Sequence, residues 1–456
     1  MNAQSKPYVS TTNACKLCKP LGACLAFKGI EGAVPFLHGS QGCATYMRRY
    51  IISHFREPMD IASSSLGEKH AIYGGGSNLK LGLKNVMTKY RGGLIGIATT
   101  CLTETIGDDV HLLLHEFRHE FNELLASHNR PDLVNVSTPS YSGTHMEGFH
   151  ATVRAVVDQL ARHEPGNRNI NLLPGFVSAA DIRDLKEVIA DFGLPATVLP
   201  DLSLTVDGPA AETYEKISPG GTPLSQIGMM GGSRASIEFG RTLPANLSAS
   251  RVLERKFSVP RHALGTPIGL RESDAFFRTL ESLADERIPE KHVLERGRLV
   301  DAYVDAHKYL FGKRAVVYGE EDLVVGLTAF LVETGIRPVL CACGGKSGRL
   351  PAAISEVTDG ILDEPPLVRD NIDFHEIKEL AGRLGPDLLI GNSKGYRIAR
   401  DLRVPLIRVG FPIHDRFGGP RILHLGYRGS QALLDTIVNA LIGARQDSSD
   451  IGYTYY

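Results

Sequence analysis

Thiols are the residues here whose type and spacing could do the most chemistry. Cys15, Cys18, Cys24, Cys43 and Cys101 crowd the start of the chain, and none follows until Cys341 and Cys343. An odd total of seven in a long chain argues against a disulfide framework. Reduced thiols then act as small buried hydrophobes or as soft metal ligands. Cys15-Lys-Leu-Cys18 is a CxxC, a spacing that redox, zinc and iron–sulfur sites all use. No second CxxC follows, which weighs against a zinc ribbon. Gly39-Ser-Gln-Gly-Cys43 places a thiol in a glycine-rich turn after the apolar run Ala33 to Leu37. Such a turn lets backbone approach an inorganic group and aims N–H donors at it. Cys101 lies in Thr99-Thr-Cys-Leu-Thr-Glu-Thr-Ile-Gly-Asp-Asp109, a strand end, a loop and an acidic helix start capped by Thr and Asp. A thiolate in that strand-end crevice can bind a soft metal cluster.

Other candidates read more plainly. Cys341 and Cys343 follow the apolar run Ile336 to Leu340 and are expected as strand-end core residues. Gly344-Gly-Lys-Ser347 imitates the end of a P-loop, but Leu340 occupies the position of its first glycine, so it is not a Walker A site. His38, His54 and His111 have no paired metal-ligand spacing and are expected to be structural or surface residues. Arg48, Arg49 and Arg56 face either an anion or solvent.

The elements that must hold these residues alternate. Leu94 to Thr99 reads as a buried strand, and Val110 to Ala126 as one helix. Asn169 to Val177 is a strand, Ala180 to Phe192 an amphipathic helix opened by Ser178, and Ala196 to Leu199 the next strand. Arg314 to Tyr318, Pro338 to Cys343 and Asp387 to Ile390 are further short strands. Strands separated by helices imply βαβ units and parallel sheets, whose ligands sit at the carboxyl ends of the strands. Polar breaks at 162–168 and a charged helix over 296–313 divide the chain into three Rossmann-like α/β domains: 1–165 carrying the thiols, 166–300, and 301–456. The chain has 456 residues, 43% of them hydrophobic, enough for a large core. Its 50 basic and 51 acidic residues leave no basic excess, so neither nucleic acid nor a membrane surface is an expected partner. The strongly apolar stretch Leu323 to Val332 is about ten residues, too short to span a bilayer. Met1 to Tyr8 is polar, without the apolar core of a secretion signal, so a cytoplasmic protein is expected.

At Cys18-Lys-Pro-Leu-Gly-Ala23, His38-Gly-Ser-Gln-Gly-Cys43 and Thr99 to Asp109 the chain resembles the nitrogenase component-1 family, β-type. Ser137-Thr-Pro-Ser140 and Arg408-Val-Gly-Phe-Pro412 extend the resemblance over nearly the whole length. The resemblance implies that Cys18, Cys43 and Cys101 bind half of an interface iron–sulfur cluster, with Ser140 as a nearby oxygen ligand. That cluster is an eight-iron (8Fe-7S) P-cluster or a simpler 4Fe-4S cluster. It implies an α-type homologous partner in an α2β2 heterotetramer and a homodimeric ATP-dependent iron protein. It places an iron–sulfur–carbon or iron–molybdenum type cofactor on the partner, because no cysteine falls between 102 and 340 here. Cys15 and Cys24 receive no role. The full ligand set is similar to that of nitrogenase-like reductases, of which the C–S-reducing methylthio-alkane reductases are one group. The expectation is therefore an electron-relaying reductase subunit. The alternative is the N-type chain of the cofactor-maturation scaffold, which Leu112-Leu-Leu-His-Glu-Phe-Arg118, Leu199-Pro-Asp-Leu-Ser203 and Gly426-Tyr-Arg-Gly-Ser430 resemble.

Overall fold

The structure is a computed structural model that describes residues 13–210, 212–213 and 215–452. The polar stretch Met1 to Tyr8 lies outside the described residues. Thirteen strands among these residues form three all-parallel sheets. The first contains β1 (Ala33–His38), β2 (Ala62–Ser63), β3 (Leu94–Thr99) and β4 (Asp132–Val136) in the order β2-β1-β3-β4. The second contains β5 (Ile170–Leu173), β6 (Ala196–Val198), β7 (Ala235–Phe239) and β8 (Arg261–Leu264) in the order β6-β5-β7-β8. The third contains β9 (Arg314–Gly319), β10 (Arg337–Cys343), β11 (Leu367–Arg369), β12 (Leu388–Gly391) and β13 (Leu406–Arg408) in the order β11-β10-β9-β12-β13. Each order reverses direction once, which makes each sheet doubly wound and gives it a switch point.

Central strands are buried on both faces, so they read as apolar runs rather than alternations; β1 and β3 are buried at every residue. One apolar core runs through all three sheets and joins Phe27, Leu94, Ile170, Ile237, Val317 and Ile390. The apolar stretch from Leu323 is a helix, Glu321–Glu333, buried nearly throughout. The strand expected over 169–177 stops at Leu173, because Pro174 and Gly175, the latter at φ +70°, turn the chain. The helix expected over 110–126 divides at Phe121 into Val110–Glu120 and Asn122–Ser127. Cys341 and Cys343 are buried in β10, as expected.

The helix Lys19–Lys28 is apolar all round and buried from Pro20 onward, so it must be enclosed by other elements. It crosses the helix His145–Leu160 at a very close approach. A Cβ on Gly22 would stand 1.7 Å from the His145 carbonyl oxygen, and one on Gly148 would stand 1.9 Å from that of Lys19. Only glycine fits at either face of that crossing. Among the described residues, no helix is long and apolar enough to cross a membrane.

Candidate metal centre

Cys43, Cys101 and Ser140 each stand just past the carboxyl end of a neighbouring strand. Cys43 lies in the first turn of the Gln41–Phe55 helix after β1, and Cys101 opens the Cys101–Ile106 helix after β3. Ser140 begins a short 3-10 turn after β4. The switch point of this sheet falls between β1 and β3, where a doubly wound fold leaves its crevice. Cys18 comes from another direction. It stands at the N-cap position of the Lys19–Lys28 helix and is held by an antiparallel bridge to Thr144. Thiols at helix starts face unpaired N–H groups and the positive end of the helix dipole, which favours thiolate and other anionic sulfur.

Hydroxyls stitch the strand ends into one frame. The Thr100 and Thr103 hydroxyls donate to the His38 carbonyl at 3.1 and 3.0 Å, joining the end of β3 to that of β1. The Thr138 hydroxyl donates to the Thr99 carbonyl at 2.7 Å, and the Thr138 N–H to Thr99 Oγ1 at 2.9 Å, joining β4 to β3. Gly39 is needed in this frame, since a Cβ there would stand 2.3 Å from Thr100 Oγ1. Ser140 then donates its backbone N–H to Cys101 Sγ at 3.1 Å. Glu104 Oε1 accepts from Thr99 Oγ1 at 2.5 Å and from Ser137 Oγ at 2.6 Å, anchoring the loop before Ser140.

Burial separates the seven thiols into two groups. Cys18, Cys43 and Cys101 are half-buried, whereas Cys15, Cys24, Cys341 and Cys343 are buried. Burial pushes the thiols of Cys15 and Cys341 up to about 12 and raises those of Cys24 and Cys343 as well, so all four stay protonated and inert. Burial, then the adjacent Cys18 and Cys101 thiols, raises Cys43. The CxxC is not a two-thiol site. Cys15 packs into the third sheet's core with Val316 and Leu340, and Cys18 alone turns to the other two ligand candidates.

The histidines behave as structural residues. His38 is buried between Ser64 Oγ at 2.9 Å and Asp108 Oδ2 at 3.1 Å. His54 Nδ1 accepts the Ile413 N–H at 2.9 Å, and burial lowers its pKa to about 3. His111 is exposed, 3.2 Å from the Asn135 amide. Arg48 donates to the Ile61 carbonyl at 3.2 Å, and Arg49 and Arg56 are exposed.

Residues 18–442 match the model of the nitrogenase component 1 type oxidoreductases. The chain belongs to this family. It is 37% identical over 449 residues to the nitrogenase molybdenum–iron protein beta chain of Methanothermobacter thermautotrophicus, covering 97% of this chain and 96% of the relative. It is 34% identical to that of Clostridium pasteurianum, over 94% and 93% of the two chains. A solved structure of nitrogenase Cp1 at pH 6.5 superposes with a TM-score of 0.94 at 32% identity, covering 100% of this chain and 98% of that one. Within the nitrogenase component-1 family this is a β-type chain, and the doubly wound three-sheet architecture is the family fold.

Component-1 proteins of this family imply iron–sulfur clusters, and the donor set here suits one. Cys18, Cys43 and Cys101 are partly exposed soft sulfur donors that neighbour one another, and Ser140 is hydrogen-bonded through its backbone to Cys101. Among the described residues no three His, Cys, Asp or Glu side chains close around a single ion. Soft thiolate donors of this kind would suit an iron–sulfur cluster. Two features near the site had little sequence signal. Tyr46, 45% exposed, lies beside Cys18. His145 pairs with Glu320 at 3.0 Å across 175 residues, a contact no local pattern announces. The Thr144-x-x-Glu147 capping box did mark the start of the helix that carries His145.

Proposed function

We propose that this chain is the electron-relaying β-type subunit of a nitrogenase-like reductase. Cys18, Cys43 and Cys101 would hold an iron–sulfur cluster at the interface with an α-type homologue, and Ser140 would offer a harder oxygen donor beside them. The carrying observation is that three half-buried thiols neighbour one another, with Ser140 hydrogen-bonded to Cys101, while the other four thiols are buried. The three thiols are only partly buried, so a second chain would cover them and supply the cluster's other ligands. Exposed Tyr46, Tyr73 and Tyr141, at 45%, 86% and 67%, give that chain aromatic surface to cover. The relatives are named as β chains of a molybdenum–iron protein, which supports an α partner, an α2β2 assembly and an iron protein as electron donor.

When bound, the cluster supplies one-electron relay to a cofactor on the α-type chain. This chain's residues hold thiolates at helix starts, fix their spacing through Thr100, Thr103 and Thr138, and keep a serine hydroxyl within reach. Activity separates the reductase from the maturation scaffold. The complex, purified without oxygen with its iron protein and ATP, is offered dinitrogen and a methylthio-alkane. Catalytic turnover supports the reductase. Absence of turnover, together with activation of a cofactor-free enzyme on mixing, establishes the scaffold role instead.

A further inference from the structure

We propose that His145 is a positioning residue for Cys18, tying the peptide before that ligand to the third sheet through Glu320. The inference rests on the reading of Cys18 as a cluster ligand. Cys43 and Cys101 are placed by strand ends of the first sheet. Cys18 is not, and its position depends on the segment that leads into it.

That segment is fastened to the third sheet's domain. The Asn13 carbonyl accepts the Phe374 N–H at 3.2 Å, and the Ala14 carbonyl accepts from Lys394 Nζ at 2.9 Å. Lys16 Nζ donates to Asn371 Oδ1 at 3.3 Å. The Cys15 carbonyl lies so close to Gly344 that a Cβ there would stand 2.1 Å from its oxygen. From Lys19 onward the chain belongs to the buried first helix. The joint between these two attachments is Leu17-Cys18, and His145 holds both the N–H and the C=O of Leu17. The His145 N–H donates to the Leu17 carbonyl at 3.0 Å, and His145 Nδ1 lies 3.4 Å from the Leu17 nitrogen. A backbone N–H can only donate, so Nδ1 carries the lone pair and Nε2 the proton. That proton points to Glu320 Oε1 at 3.0 Å. Glu320 follows β9 directly and stands at the N-cap position of the Glu321–Glu333 helix without a side-chain cap bond. His145 is 4% exposed, so its truncation takes the side-chain partner from a buried backbone N–H, that of Leu17. A shift of the third sheet would therefore reach Cys18 through two hydrogen bonds while leaving Cys43 and Cys101 in their frame.

The test uses the complex with its α-type partner, prepared without oxygen, as wild type, His145→Ala, His145→Gln and Cys18→Ala. Glutamine can accept from Leu17 and donate to Glu320, so it is the rescue variant. The readouts are amide exchange of the 13–18 peptide, iron content and the cluster's electron paramagnetic resonance. His145→Ala is expected to speed exchange of that peptide about fivefold to tenfold, as loss of a buried hydrogen bond does. It should also alter the cluster signal, and His145→Gln should restore most of both. Wild-type exchange and an unchanged signal in His145→Ala overturn the proposal. If that variant does not assemble, Glu320→Ala, which removes only the far acceptor, must show the same two changes, and wild-type values there overturn it equally. An unchanged iron content and signal in Cys18→Ala would instead overturn the ligand reading itself, and this inference with it.

Discussion

Gly22→Ala adds one methyl group at the crossing that seats the Cys18 helix. Its Cβ would stand 1.7 Å from the His145 oxygen and 2.7 Å from the Phe149 nitrogen. Both are backbone atoms of a helix, so no rotamer change can make room. A carbon–oxygen contact needs at least about 3 Å, so the helices must part by more than about 1 Å in a core with no free volume. Overpacking of this kind costs about 3 kcal/mol, and alanine's better helix propensity returns up to about 1 kcal/mol, leaving a net loss of about 2 kcal/mol or more. Gly443→Ala is the control, since a Cβ there meets nothing within 4 Å in the Gly426–Asp447 helix. It should be neutral or stabilise by up to about 1 kcal/mol. The chain has no tryptophan, so unfolding of the complex is followed by far-ultraviolet circular dichroism in urea. Gly22→Ala should lower the midpoint clearly and Gly443→Ala should not. Equal midpoints for the two variants would refute the argument from close approach.

Cys43→Ala should abolish the cluster's spectroscopic signal, whereas Cys24→Ala, at a buried thiol, should retain iron; metal analysis of both complexes checks this. His54 is buried neutral with a pKa lowered to about 3, so the unfolded chain binds a proton that the fold refuses. Its contribution is full above about pH 6.5 and falls by about 1.4 kcal/mol per unit as pH drops toward 3; His54→Gln should flatten that acid limb of a stability–pH profile. Asp181 is wholly buried, accepts the His424 and Leu425 N–H groups, and lies 2.9 Å from His424 Nδ1. Burial pushes against charge on both residues, but each partner reverses that, lowering Asp181 and raising His424. Asp181→Asn should cost about 3 kcal/mol at pH 6, with a smaller penalty as pH rises through the raised His424 value, where the pair is lost anyway.

The elements legible in the sequence were those whose pattern is local. β3 matches the expected strand Leu94 to Thr99, and the Ala179–Asp191 helix begins at its Ser178 cap as the spacing indicates. Short strands such as β2 and β11 carried no such pattern, because two or three residues cannot display a period. The thiol site was legible as a set of residue types at strand ends, and the resemblance grouped Cys18 with Cys43, Cys101 and Ser140. The sequence did not reveal why Cys15 and Cys18 part company. That follows from Asn13 and Ala14 pairing with Asp373 and Phe374, more than 350 positions away. The His145–Glu320 link was hidden for the same reason: neither residue has a neighbour in sequence that announces the other.

Iron counting and electron paramagnetic resonance on the complex, purified with its α-type partner without oxygen, test the central claim most directly. The account predicts about eight interface irons per αβ pair and a P-cluster-type signal that appears on oxidation. About four irons with a plain reduced cubane signal would contradict it and assign the chain to the maturation scaffold.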